Sequence, residues 1–223
     1  LAWEMLARVM VERKKPHLAI QALDEAIRHN PDVTALRRLK VQVFSDHGFR
    51  DAAAEALNEI PAGERNAEDH CVLAWIHMEA GRWEEARNAA RAAVDADPRH
   101  WRAQYTLGVA LENAQPMNRP AVTGAYRKAV ELGDPAGEAG TRLGLLLLEK
   151  VPGQIPATKE AVTVLQAARE RSKDAPGTLL NLALAQNQAE NKAEARALAA
   201  ALVDRADASE SVRDQARRLL STL

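Results

Sequence analysis

The sequence predicts an all-α solenoid, six helical hairpins in a row followed by a thirteenth helix. Three observations predict it. One pattern of small and apolar residues recurs six times along the chain. Alanine fills the stretches between the glycines and prolines, and it is both the best helix former and small enough for close helix approach. Hydrophobic residues make up 47% of the 223 residues but aromatics only 4%. The core must therefore be built from many small and aliphatic side chains.

The clearest unit spans residues 67–100 and reads Leu73-Ala74, His77, Gly81, Trp83, Ala86, Ala90, Ala93 and Pro98. Its periodicity predicts one helix over 68–80 and a second over 84–95. Gly81 marks the turn, and Pro98 follows the end because proline cannot continue a helix. The first-helix pattern recurs as Trp3/Leu6/Ala7/Met10, Leu36/Leu39/Val43, Leu107/Gly108/Leu111, Leu143/Gly144/Leu147 and Leu182/Ala183/Gln186. The second-helix series Ala19, Ala52, Ala86, Val122, Ala161, Ala195 advances in steps of 33, 34, 36, 39 and 34. The two long steps place insertions inside the hairpin turns of repeats four and five, at 114–120 and 151–156, both flanked by proline. Insertions at one place in successive repeats map to one edge of a solenoid. Such an edge is either a tolerated surface loop or a second contact surface. Residues 209–223 form the last helix, with Ser209 as its cap. Val212, Ala216, Leu219 and Leu220 share one face, and the other is charged, as a solubilising end helix requires.

These units resemble tetratricopeptide repeats over about residues 1 to 205, whose period is about 34 residues. The resemblance rests on Trp3-Leu6-Ala7, on Gly108 and Gly144 after the first-helix leucine, on the second-helix alanines and on Pro31 and Pro98. Val122 departs from the alanine. The resemblance implies a right-handed superhelix with repeats at 1–32, 33–66, 67–100, 101–135, 136–175 and 176–206 and a capping helix at 209–223. These form a single solenoid over 1–223. Each hairpin cannot bury its apolar face alone, so neighbours stack and share a core.

Net charge is −1 at a pI near 6.7, with both signs mixed along the chain. That balance argues against nucleic-acid binding, which calls for a basic face. Cys71 is the single cysteine, so no internal disulfide forms. Apolar runs such as 143–148 are far short of the roughly 20 residues of a membrane span. A soluble chain is expected, in the cytoplasm first. The chain opens at Leu1-Ala2-Trp3-Glu4 without Met, inside a helical pattern. This suggests a trimmed or processed chain, and a periplasmic or membrane-associated place through a removed anchor stays open. No cap precedes the first repeat, which points to removed upstream repeats or to an end that meets something.

No phosphate-cradling loop and no nucleophile elbow occurs, so no enzyme and no cofactor is expected. His70 and His77 lie two turns apart, about 10 Å, which is long for a shared metal. No metal is expected, and a packed histidine is the simpler reading.

The resemblance also implies which first-helix positions meet a ligand. They give a stripe of Phe44, Trp75, Met78, Tyr105, Val109, Leu145 and Leu148, bordered by Arg37 and Arg102. Trp, Tyr and Arg are enriched at binding hot spots, and Met suits an adaptable apolar surface. The expected function is a scaffold or adaptor holding an extended or helical segment of another protein. Alternatives are a structural protein that self-assembles through Leu1, Trp3 and Leu6, and a bacterial envelope, pilus-assembly or polarity adaptor. Such adaptors are commonly lipidated at an N-terminal Cys, which this chain lacks. The resemblance disfavours the chaperone-tail partner, because no three consecutive repeats supply its Lys, Asn and Arg set.

Overall fold

The computed structural model describes residues 2–149 and 156–223. Of the second insertion, 151–155 lies outside the described residues, as does Leu1. The described residues form thirteen α-helices and no strand. The chain divides into two compact units, Leu1–Met117 and Asn118–Leu223.

The first unit holds α1 (Ala2–Glu12), α2 (Pro16–His29), α3 (Thr34–Asp46), α4 (Arg50–Asn58), α5 (Ala67–Glu79), α6 (Trp83–Ala96) and α7 (Trp101–Asn113), with a 3-10 turn at Ala62–Glu64. Helices α1 and α2, α3 and α4, and α5 and α6 pair as hairpins, and α7 packs on α5 and α6. The second unit holds α8 (Arg119–Glu131), α9 (Glu138–Leu148), α10 (Thr158–Arg171), α11 (Pro176–Gln188), α12 (Lys192–Val203) and α13 (Glu210–Thr222). There α9 pairs with α10 and α11 with α12, α8 packs on α9, and α13 packs on α12 and α11.

The helix ends follow from local chemistry. Asn66 opens α5 with a capping box: its side chain accepts from Asp69 N at 2.9 Å, and its own N–H donates to Asp69 Oδ2 at 3.0 Å. Asn118 caps α8 at 3.1 Å and Ser209 caps α13 at 3.4 Å. Gly81 takes φ +71 after α5, the left-handed conformation in which a Cβ is costly.

The small residues sit where the helices meet. Ala7, Ala19, Ala74, Ala86, Val122, Ala161, Ala183 and Ala195 are all fully buried. Repeat two corrects the sequence register. At that place in α4 the buried residue is Ala53, not Ala52, which is partly exposed. In every second helix the inward residue follows the N-cap by four: Lys15 and Ala19, Phe49 and Ala53, Arg82 and Ala86, Asn118 and Val122, Ala157 and Ala161, Asn191 and Ala195. The first helix shifts with it, so buried Val41 occupies the place of Ala7 and Ala74. Lys40, which the leucine pattern puts at that place, instead reaches Asp24 at 2.8 Å and lies over the Phe44 ring.

Larger side chains fill what alanine leaves. Leu57 and Ile60 are fully buried and pack with Val41 and Val72, each worth about 1.5–3 kcal/mol of burial. In the second unit Gly144 lets α9 approach α10, since a Cβ there would stand 2.4 Å from Leu165 Cγ. Among the described residues no helix is long and apolar enough to cross a membrane.

Candidate functional site

Within the first unit, α5 packs directly on α7, while α3 stands further from α5. The gap is a cleft of about 210 Å³ lined by Arg38, Val41, Gln42 and Ser45 of α3, Glu68, Cys71, Val72 and Trp75 of α5, and Arg102 of α7. A second cleft of about 280 Å³ shares Ser45, Asp46, Val72, Trp75 and Arg102 and runs on to Arg50 and Glu79. Trp75 is common to both. Its ring meets Tyr105 at 6.3 Å between centroids, and Tyr105 meets Trp101 at 6.5 Å, spacings at which aromatic pairs add about 0.5–1.5 kcal/mol. Tyr105 itself is buried, so it backs Trp75 and fixes its position.

The rim is charged and paired. Arg38 Nε donates to Asp69 Oδ2 at 2.8 Å, joining α3 to the capping box of α5. Arg102 pairs with Glu68, and Arg50 with Glu79. The last two pairs are exposed, a setting worth at most about 1 kcal/mol each, so their charges remain exchangeable with those of a partner.

The sequence-derived stripe divides in the structure. Trp75 is partly exposed on the cleft, and the Arg102 side chain is 47% exposed at its edge. Met78, Tyr105 and Val109 are buried. Arg37 and Phe44 lie away from the cleft, Arg37 against Glu59 and Phe44 edge-on to Phe49. The cleft face of α3 is carried by Arg38, Gln42, Ser45 and Asp46, one residue on from the expected positions. This is the same one-residue shift seen at Val41 and Ala53. The signal in the sequence is Lys40, a long charged residue at a place reserved for a small one. In the second unit Leu145 is 45% exposed and Leu148 is buried.

Residues 71–136 match the family described as tetratricopeptide repeat. That stretch carries tetratricopeptide repeats. No curated protein matches it. Among solved structures its fold is similar to a chain of the APC/C hetero-tetramer Cut9-Hcn1, at 15% identity and a TM-score of 0.78. That match covers 98% of this chain and 42% of the other, so the chain spans less than half of that relative. It is also similar to Pseudomonas aeruginosa pilF, at 16% identity and TM-score 0.80 over 100% of this chain and 96% of that one. A third is PilW, a widely conserved type IV pilus biogenesis factor, at 15% identity and TM-score 0.74 over 96% of each chain. At these identities the likeness is one of fold.

On α5 the two histidines and the cysteine have separate surroundings. His77 Nδ1 accepts from Arg82 Nε at 3.1 Å, and burial, then Arg82, lowers its pKa. The pKa of His70 is lowered by burial and then by Arg65, and its Nδ1 is buried without a hydrogen-bond partner among the described residues. Burial, then the Glu68 charge, pushes the Cys71 thiol up to about 12. A thiol so raised stays protonated near neutrality and is a poor nucleophile.

The second unit carries a cleft of its own. A cleft of about 260 Å³ lies between the start of α8 and the end of α9, lined by Arg119, Thr123, Arg127, Leu146, Glu149 and Pro156 among others. Arg119 donates to Glu149 and to the Leu146 carbonyl there, tying the start of α8 to the end of α9. The turn at Gly133-Asp134-Pro135 does more than reverse the chain. Asp134 is fully buried and its Oδ2 accepts from Ala139 N at 2.8 Å, serving the start of α9 where the N-cap is Gly137.

Proposed function

We propose that this chain is a non-catalytic protein-interaction scaffold that holds an extended or helical segment of another protein in the cleft between α3, α5 and α7. The observation that carries this reading is Trp75, the one aromatic shared by both clefts of that face, backed by Tyr105 and ringed by Arg38, Arg102 and Asp46. A rigid indole in a half-enclosed wall flanked by charge has the make-up of a hot spot, and tetratricopeptide repeats serve in general as protein-binding folds. Leu145, exposed on α9, is the corresponding anchor of the second unit. The test is affinity for a captured partner. Trp75→Ala removes an anchor worth about 2 kcal/mol or more, so binding falls about 30-fold while circular dichroism stays helical. Unchanged binding by the folded variant refutes the reading.

A second reading is self-assembly, favoured by the row Trp3, Met5, Leu6 and Val9 that α1 leaves 39–67% exposed. It predicts a mass above the monomer in light scattering, lost in Met5→Glu. The full-length fold match to a pilus biogenesis factor supports envelope assembly as one setting for either reading.

A further inference from the structure

Beside the cleft, three side chains of metal-ligand chemistry converge. Glu68 and Cys71 lie one helical turn apart on α5, and His100 stands at the N-cap of α7. One ligand atom from each lies within 4.8 Å of the other two. Glu68 divides its oxygens. Oε1 takes the Arg102 guanidinium, and Oε2 faces His100 Nε2 at 3.5 Å. The arginine therefore leaves free the oxygen that faces the imidazole.

Zinc holds sulfur at about 2.3 Å and nitrogen or oxygen at about 2.0–2.2 Å in a tetrahedron. Donors around one such ion stand about 3.3–3.6 Å apart. The present set closes to that size by a contraction of about 1 Å, within reach of side-chain rotation. We propose that Glu68, Cys71 and His100 form a three-ligand site for a borderline-soft divalent cation, zinc foremost, with water in the fourth position.

Two further observations fit this site. Thr106 of α7 is fully buried beside Cys71, and among the described residues its hydroxyl has no partner but that weakly accepting thiol. A thiolate at Cys71 would give that hydroxyl a strong acceptor, the kind of outer contact that ligating sulfurs use. The site also has an entry path, because Glu68 and Cys71 line the first cleft. A sulfur ligand selects against magnesium and calcium, which take oxygen.

Binding has two costs. The thiol proton must leave to solvent as the metal–sulfur bond forms, so affinity rises with pH. His100 Nδ1 now accepts the cap bond from Ala103 N at 3.3 Å. Ligation through Nε2 puts a proton on Nδ1 and gives up that long bond.

The experiment is a cobalt(II) titration of the purified chain, followed by displacement with zinc, and it needs no partner. Wild type is expected to bind one equivalent with visible d–d bands and a near-ultraviolet thiolate-to-cobalt charge-transfer band. Cys71→Ser should abolish the charge-transfer band. His100→Asn keeps a good helix cap and should weaken binding at least tenfold, as should Glu68→Gln. Circular dichroism establishes that each variant is folded. Absence of the charge-transfer band in wild type, or equal cobalt affinity in wild type and folded His100→Asn, overturns the proposal.

Discussion

Alanine placed at Gly144 and at Gly124 should move stability in opposite directions. Both glycines lie inside helices, α9 and α8, and both gain about 1 kcal/mol of helix propensity on becoming alanine. At Gly124 a Cβ meets nothing within 4 Å, so the gain stands. At Gly144 the Cβ would lie 2.4 Å from Leu165 Cγ, 2.7 Å from Cδ2 and 2.8 Å from Cδ1. Leu165 is fully buried, and the clash includes its branching carbon, so a terminal rotation does not clear it. Overpacking of this kind costs about 1–3 kcal/mol, which leaves Gly144→Ala destabilised by about 1 kcal/mol net. The two variants then differ by about 2 kcal/mol, or about 1 M in urea midpoint at a typical slope of about 2 kcal/mol per molar. Equilibrium urea unfolding followed by far-ultraviolet circular dichroism measures this. A Gly144→Ala midpoint at or above wild type would refute the close approach of α9 and α10.

Asp69 is 3% exposed and serves both the capping box of α5 and Arg38 of α3. Asp69→Ala should cost about 2–3 kcal/mol in chemical unfolding, against about 1 kcal/mol for Asn66→Ala. Equal costs would mean that the Arg38 contact contributes nothing. His70 gives a pH dependence. Its folded pKa lies below the ordinary 6.5, chiefly through burial and then Arg65, so below about 6.5 the unfolded chain binds more protons and stability falls as pH drops. Melting at about pH 7.5 and about pH 5.5 should show a smaller acid loss in His70→Gln than in wild type. An unchanged loss assigns the effect to other groups.

The helices were legible because their periodicity and punctuation are local. The expected 68–80 and 84–95 became Ala67–Glu79 and Trp83–Ala96, and Ser209 caps α13 as its position suggested. The register of repeat two was not, because Leu39 and the run Ala52-Ala53-Ala54 fit either of two alignments. Only packing distinguishes them, by burying Val41 and Ala53 and pairing Lys40 with Asp24. That single residue moved the cleft face of α3 from Arg37 and Phe44 to Arg38, Gln42, Ser45 and Asp46. The convergence of His100 with Glu68 and Cys71 was hidden for a different reason. It joins two helices, whereas the spacing of His70 and His77 drew notice only within one.

The cleft around Trp75 is tested most directly by site-specific photocrosslinking in the cell of origin. A benzophenone amino acid replaces Gln42 or Ser45 on the cleft face, or Asn88 on the exposed face of α6. The expected result is a discrete protein adduct from Gln42 and Ser45, none from Asn88, and loss of the cleft adducts in a folded Trp75→Ala background. Adducts from Asn88 alone, or cleft adducts untouched by Trp75→Ala, would contradict it.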